Sequence, residues 1–220
     1  MDSFYSNFIC GLVTAKLLLA GAANASPAIH DAPSPNHGEA LLISYPNYNI
    51  DTDSFYGNTD KVGHAGVLLI SAHGVTNYFE FGRYASDGKM RKVTIPNVKI
   101  NEFGKATASS LKSVLSSLSK KSGQNGIIRA SYFINMDFSK MKNNAVSVNP
   151  SYNLTTFNCS HFAERVVLAG NQNVDRPAIV NPTPRNVIDE YIEEGNAEVL
   201  YNPNDDSLTI GPHDENDAKN

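Results

Sequence analysis

The feature that most constrains this chain is a pair of apolar runs joined by a short polar segment. Gly63–Ile70 and Thr76–Phe81 are rich in aliphatic, aromatic and β-branched residues, and Ser71-Ala72-His73-Gly74 separates them. Gly74 can adopt a positive φ at no steric cost, as tight turns between antiparallel strands often require. The pattern predicts a β-hairpin, so the chain must build an antiparallel sheet and cover its faces.

Other segments supply the rest of an α+β fold. Strands are predicted at Ala40–Tyr45, Ile127–Ile134 and Lys92–Ile100, the last at a sheet edge because Pro96 has no N–H for a ladder. Helices are predicted at Ala106–Lys120, Phe157–Ala169 and Arg185–Ile192, with a short helix or turn at Asp137–Lys142. In Ala106–Lys120 the apolar residues recur at i, i+3, i+4 and i+7, which is the spacing of one buried helix face.

The chain is predicted to have three parts: an N-terminal helical segment and linker over residues 1–38, one folded domain over 39–201, and an acidic disordered tail over 202–220. Phe8–Ala25 is apolar and ends in a sequence typical of signal-peptidase sites, but no positive charge precedes it and Lys16 interrupts it. We therefore favour a retained helix over a cleaved signal, and the stretch is too short and broken for a membrane span. The tail contains too few apolar residues to offset the entropy of ordering.

Charge and cysteine content exclude some classes of function. The net charge of −4 is not the basic footprint of a nucleic-acid-binding domain. One dense basic run, Lys89-Met90-Arg91-Lys92, is short, and we interpret it as a solvated strand end. Two cysteines, Cys10 and Cys159, do not make a disulfide framework in 220 residues. A single bridge would need an oxidising compartment, and we do not favour it because a catalytic role explains Cys159 better.

Cys159 lies at the start of a patterned helix. It begins an apolar series at i, i+3, i+4, i+7 and i+8 that continues through Phe162, Ala163, Val166 and Val167. Asn158 is the predicted N-cap, with Thr156 as the alternative. Backbone N–H groups and the helix dipole at this position stabilise a thiolate, and the same groups can face an oxyanion. A lone cysteine on an apolar face is usually a packing residue, and this helix alone favours catalysis and packing about equally.

A plausible base tips the balance towards catalysis. Among the six histidines, His64 alone opens a predicted strand, between Gly63 and the small pair Ala65-Gly66, where substrate and backbone could approach closely. His161 follows Cys159 by two positions and therefore points to another side of the helix. The remaining histidines, His30, His37, His73 and His213, fall in the linker, the turn or the tail.

A third polar group should orient the second nitrogen of His64. Glu80 is the carboxylate most deeply embedded in apolar sequence, on the strand predicted to pair with that of His64. It shares the His64 face if the turn has three residues, but not if the turn has two or four. The alternative is a charge at a strand edge, or an ion pair with Arg83.

Three segments together resemble a known family: Gly63-His64-Ala65-Gly66-Val67-Leu68-Leu69-Ile70, Tyr78-Phe79-Glu80-Phe81-Gly82 and Asn158-Cys159-Ser160-His161-Phe162. They are similar to the permuted papain-like hydrolases of the NlpC/P60 type, in which the histidine strand precedes the cysteine helix. His64 precedes Cys159 by 95 positions, as that permuted order requires. The resemblance covers roughly Leu41–Gly170.

The resemblance implies an α+β fold with a small antiparallel sheet and the cysteine helix packed on it. It implies amide-bond hydrolysis with no cofactor and no metal. By family analogy Cys159 is the nucleophile, His64 the base and Glu80 the third member, although the family usually has His, Asn or Gln at the third position.

The whole chain, including its length, is similar to TseH-type effectors of type VI secretion systems, which attack peptidoglycan. This similarity implies a peptidoglycan substrate, secretion through the type VI apparatus and action in the periplasm of a target bacterium. It also implies an immunity protein and loading components as partners. Neither a nucleic acid nor a stable membrane span is expected.

Three other interpretations stay open. The same fold and residues could act on a lipid or protein acyl substrate, because one fold serves many reactions. The chain could be a non-catalytic binding module in which Cys159 and His64 are core residues. A zinc site of Cys159, His161 and His64 is the least favoured, because Cys-x-His on a helix lacks the usual four-ligand spacing.

Overall fold

The computed structural model describes residues 37–49, 63–82, 88–148, 151–153 and 155–211. Its strands are β1 His37–Tyr45, β2 His64–Ser71, β3 Thr76–Gly82, β4 Lys89–Val93, β5 Ile128–Asp137, β6 Ala197–Asn202 and β7 Ser207–Gly211. Its helices are α1 Ala108–Ser122, α2 Phe138–Ser147, α3 Cys159–Gly170 and α4 Pro184–Glu193. The N-terminal segment, Cys10 and Arg83 lie outside the described residues.

The described strands form one seven-stranded sheet in the order β4-β3-β2-β1-β5-β6-β7. Each strand pairs with its neighbours in the antiparallel sense. The central strands are almost continuous apolar runs because helices or loops cover both of their faces. The predicted antiparallel sheet and hairpin are therefore confirmed, although the sheet is larger than the small one expected.

Two apolar clusters lie on opposite faces of the sheet. One joins Leu42, Val67 and Phe79 to helices α2, α3 and α4. The other joins Leu41 and Leu68 to α1. Alternate residues of each strand face alternate clusters, and each fully buried Leu or Phe stabilises the fold by roughly 1.5–3 kcal/mol. The helix that begins at Cys159 is thus fixed to the sheet along its whole apolar face.

The helices agree better with prediction than the edge strand does. The helices predicted at Ala106–Lys120 and Phe157–Ala169 are confirmed to within two residues at each end. The strand predicted at Lys92–Ile100 begins earlier, at Lys89, and ends at Val93. Beyond it the chain leaves the sheet, and the N–H of Val98 bonds to the carbonyl of Gly74 in the β2–β3 turn at 3.0 Å. The predicted edge position is correct, since β4 ends the sheet.

The prediction that the chain is disordered from Asn202 onward is wrong as far as Gly211. Strands β6 and β7 form a hairpin with the register Tyr201↔Leu208, and β6 pairs in turn with β5. Val199 and Tyr201 are buried in the α1-side cluster, against which Leu208 packs. Long-range pairing supplies the order that local composition did not indicate. The folded domain also starts earlier than predicted, because β1 begins at His37.

Because β6 and β7 form a hairpin, removing the residues after Tyr201 should destabilise the fold. A chain that stops after Tyr201 loses β7 and the ion pair of Lys112 with Asp206, so we expect a loss of at least about 1 kcal/mol of folding free energy. That loss corresponds to roughly 2–4 °C in melting temperature for each kcal/mol. A chain that stops after Gly211 is the matched control and should have the same melting temperature as the full chain. Equal melting temperatures for the two shortened chains would contradict this expectation.

None of the helices in the described part of the chain is both long enough and apolar enough to cross a membrane.

Candidate active site

Helix α3 begins at Cys159 because Asn158 satisfies the backbone groups of its first turn. The Asn158 side chain accepts hydrogen bonds from the N–H groups of Ser160, at 2.9 Å, and His161, at 3.2 Å. The Nδ1 atom of His161 accepts the backbone N–H of Asn158 at 3.3 Å. This reciprocal arrangement is a capping box. The predicted N-cap is confirmed, and Cys159 is the first helical residue.

The thiol of Cys159 meets the start of strand β2. Cys159 is a free cysteine and only 4% exposed. The His64 side chain and the backbone N–H of Ala65 lie beside its sulfur. The β2–β3 ladder begins only at Gly66. His64 and Ala65 therefore do not pair with β3 and can contact the N-terminal end of α3.

The Cys159 thiol and the His64 imidazole approach each other at the N-terminal end of β2, and not across one face of the sheet. Residue parity along β2 places His64 with Leu68, on the face that α1 covers. Helix α3 packs on the opposite face, with Val67. Because His64 is the first residue of β2 and Cys159 the first residue of α3, their side chains can approach around the strand end.

Glu80 lies on the same face as His64. The Nε2 atom of His64 is 3.2 Å from Oε2 of Glu80, so Nδ1 is the ring nitrogen that can face the thiol. The N–H of Ser71 bonds to the carbonyl of Val75, so the turn has three residues, with Gly74 at φ +79°. A three-residue turn is the length for which the sequence places Glu80 on the His64 face. The register pairs Glu80 with Gly66, which lies two positions after His64 in β2.

Glu80 is fully buried and has other partners besides His64. The hydroxyl of Tyr78 donates to Oε2 at 3.2 Å. The guanidinium of Arg91 contacts Oε1 through both Nε and Nη2, and Arg91 stands directly opposite Glu80 in the β3–β4 ladder. The alternative of an exposed charge at a strand edge is therefore wrong.

These contacts shift the ionisation of all three groups. Burial by itself would lower the pKa of His64, but bonds to Cys159 and Glu80 and their negative charges raise it to about 9. Burial would raise the pKa of Cys159, but His64, the Ala65 N–H and Ser160 lower it. Burial would also raise the pKa of Glu80, and His64 and Arg91 together lower it. The directions agree with a thiolate–imidazolium pair beside an ionised carboxylate.

Aromatic rings cover the imidazole. The Tyr48 ring centroid lies 5.1 Å from that of His64, and the Tyr45 ring is nearly parallel to it at 6.1 Å. Gly66 is needed for a different reason from the one predicted: a Cβ there would collide with the Tyr78 ring. The small residue thus makes room for Tyr78, which holds Glu80, rather than for a substrate.

A donor for an oxyanion is present beside the sulfur. The N–H groups of Ser160 and His161 bond to the Asn158 side chain, and that of Phe162 bonds to the Asn158 carbonyl. The backbone N–H of Cys159 has no acceptor among the residues that the structure describes. An N–H at a helix start, next to the thiol, suits a developing negative charge on a carbonyl oxygen.

His161 takes part in the cap and not in the thiol contact, as its position in the sequence indicated. It lines a cavity of about 480 Å³ on the flank of α3, together with Thr155, Glu164, Arg176 and Pro182. The Asn158 side chain donates to the Pro182 carbonyl at 3.1 Å. The cavity therefore adjoins the N-terminal end of α3, while Cys159 and His64 do not line it.

The two remaining histidines that the structure describes lie elsewhere in the sheet. His37 opens β1 and His73 occupies the β2–β3 turn, whereas His30 and His213 lie outside the described residues. Within the described ranges, no three His, Cys, Asp or Glu side chains are grouped closely enough to hold a metal ion.

The family of this chain follows from comparison with known proteins. A family described as "Type VI secretion system effector TseH-like" matches residues 40–176, more than half of the chain. The chain belongs to this family. The similarity to TseH-type effectors predicted from sequence is confirmed, and His64, Glu80 and Cys159 all lie within the TseH-like region.

A solved structure agrees with the TseH-like assignment. The crystal structure of the type VI secretion system effector TseH is 29% identical in sequence and has a TM-score of 0.67. The match covers 81% of this chain and 100% of the TseH chain. No curated protein matches the chain. The two proteins thus share a mixed fold of antiparallel sheet and helices.

Sequence reasoning found the three central residues but missed Arg91, Tyr78 and Tyr48. Arg91 belonged to the basic run that was interpreted as a solvated strand end. Its contact with Glu80 depends on the β3–β4 register, and no local pattern in the sequence indicates that register.

Proposed function

We propose that this TseH-like effector is a cysteine hydrolase of the permuted papain-like type that cleaves amide bonds in peptidoglycan stem peptides. The observation that carries the proposal is that His64 contacts both Cys159, at the start of a helix, and a fully buried carboxylate, Glu80. A packing cysteine needs neither contact. Strongly perturbed ionisable groups in mutual contact are typical of active sites.

The reaction begins with attack of the Cys159 sulfur on the carbonyl carbon of the scissile amide. The carbonyl π electrons move onto oxygen, and the Cys159 N–H and the helix dipole stabilise that oxyanion. The Nδ1–H of His64 then protonates the amide nitrogen. The C–N bond breaks, the amine leaves, and a thioester links the acyl group to Cys159.

Hydrolysis of the thioester returns the enzyme to its starting state. Neutral His64 removes a proton from water through Nδ1, and the resulting hydroxide adds to the thioester carbon. The second tetrahedral intermediate collapses with loss of the Cys159 thiolate and release of a carboxylic acid. Throughout, Glu80 accepts the Nε2–H of His64 and so holds the imidazole in one orientation.

The substrate and setting rest on the family rather than on the geometry. Type VI effectors are delivered into other cells, and a cell-wall amide is the acyl compound that the TseH-like resemblance implies. Delivery by the type VI apparatus, action in the target periplasm, loading components and an immunity protein are parts of the same proposal. A retained N-terminal helix fits such delivery, because this route needs no signal peptide.

Incubation of the purified full chain with isolated sacculi tests the function. We expect soluble muropeptides that carry a new amine and a new carboxylate at one stem-peptide bond, identified by mass spectrometry. Cys159→Ala protein at equal concentration is the matched control and should release none. If sacculi stay intact while model lipid or protein acyl compounds are hydrolysed, the peptidoglycan assignment is wrong and the catalytic one stands.

A further inference from the structure

Arg91 is the member of the basic run Lys89–Lys92 that contacts Glu80. The β3–β4 register places it directly opposite Glu80, whereas Lys89 lies opposite Gly82. Two guanidinium nitrogens contact the same carboxylate, and Nη2 also lies 3.4 Å from the Ser122 hydroxyl at the end of α1. Although 45% of the Arg91 side chain is exposed, its charged end is fixed from two sides.

A fully buried carboxylate needs a compensating positive charge at every stage of the reaction. In the resting state both the His64 imidazolium and Arg91 supply it. Once His64 has given its Nδ1 proton to the leaving amine, the imidazole is neutral and Arg91 is the cation that remains beside Glu80. If Glu80 instead became protonated, it could no longer accept a hydrogen bond from Nε2–H through an ionised carboxylate, and the tautomer and orientation of the imidazole would no longer be fixed.

We propose that Arg91 is a positioning residue that keeps Glu80 ionised throughout the cycle and thereby holds His64 as the Nε2–H tautomer, with Nδ1 turned to the sulfur. The inference rests on the proposed Cys159–His64 chemistry and deepens it. Arg91 does not touch the reacting atoms; it acts through Glu80.

Loss of Arg91 should raise the pKa of Cys159. Several groups face Glu80: His64 from β2, Tyr78 from its own strand, Arg91 from β4 and, at longer range, Tyr45 from β1. Without Arg91, Glu80 either stays charged and makes the surroundings of the thiol more negative, or becomes protonated and no longer supports the imidazolium. Both outcomes raise the pKa of Cys159, so the reactive thiolate forms at higher pH.

The test measures the rate of Cys159 alkylation by iodoacetamide against pH, in the full chain carrying Cys10→Ser so that one thiol remains. Arg91→Gln should move the midpoint of the profile upward by about one pH unit. Lys89→Gln removes the same charge from the same strand and should leave the midpoint unchanged. Equal midpoints for these two variants would overturn the proposal.

A double-mutant cycle shows whether Arg91 acts through Glu80. In a Glu80→Gln background, adding Arg91→Gln should change the midpoint no further. A second shift as large as the first would mean that Arg91 acts independently, and would overturn the positioning role. If Arg91→Gln alone does not fold, recovery of the fold in the double variant supports the proposal, because the buried charge has then been removed, and failure to recover contradicts it.

The alkylation assay needs no peptidoglycan. If sacculi stay intact in the previous experiment, the peptidoglycan substrate is wrong, but the role of Arg91 is not contradicted. If the pH profile of alkylation does not shift, the role of Arg91 is wrong, but hydrolysis by Cys159, His64 and Glu80 is not contradicted.

Discussion

Cys159→Ser and His64→Ala should each lower the rate of amide hydrolysis at least about a hundredfold, the scale of losing a nucleophile or a positioned base. Serine is close to cysteine in volume, but its hydroxyl is far less acidic than a thiol. We do not expect His64 to activate it in a site arranged for sulfur. Alanine at position 64 removes both the base and the cation that holds the thiolate charged. The double variant should lose little more, because residues that act as a unit are not additive.

The controls for this experiment follow from the structure. Cys10→Ser and His73→Ala should stay active, since His73 lies in the β2–β3 turn away from the sulfur. His161→Ala, which sequence alone suggests as a neutral control, is unsuitable because His161 completes the cap of helix α3. An active Cys159→Ser protein, or a loss of activity that only follows a loss of melting temperature, would make Cys159 a core residue.

Glu80 variants should show the second largest effect. Glu80→Ala removes the acceptor for the Nε2–H of His64, and we expect kcat/KM to fall by about tenfold or more. Glu80→Gln should retain more activity than Glu80→Ala, since an amide oxygen can still accept that hydrogen bond. The assay is hydrolysis of a soluble muropeptide at neutral pH, with the melting temperature of each variant measured in parallel.

Both Glu80 variants should remain folded. The carboxylate is fully buried, but Arg91 is partly exposed and its guanidinium can return to water when Glu80 is removed. Wild-type rates in both variants would remove Glu80 from the mechanism and with it the reason for the Arg91 contact. Equal and low rates in both would mean that the negative charge, and not only the acceptor oxygen, is required.

Much of the fold could be predicted wherever the relevant signal is local. The α1 and α3 helices have apolar residues at helical spacing, and the β2–β3 hairpin has two apolar runs and a glycine at its turn. The same hairpin made Glu80 a testable candidate, because residue parity across a turn of known length fixes which side chains share a face. Cys159 and Asn158 were found from cap chemistry within a few residues.

The rest depends on contacts between distant parts of the chain. Strand β7, Ser207–Gly211, is short and largely exposed, and it is ordered because β6 and β5 extend the sheet beside it. The β4 strand starts at Lys89, three residues before its predicted start, so the pairing of Arg91 with Glu80 could not be deduced. The contact of Cys159 with His64 was inferred from the resemblance and from chemical need, and no spacing rule in the sequence gives its geometry.

The site residues are unequally separated along the chain, and this suggests the order in which the site assembles during folding. His64 and Glu80 are only 16 positions apart, on strands joined by a tight turn, whereas Cys159 comes 95 positions after His64. Closing the longer loop costs more chain entropy, so the hairpin can form well before α3 docks. We therefore expect the pKa of the thiol to fall below its ordinary value only after α3 has docked on the sheet.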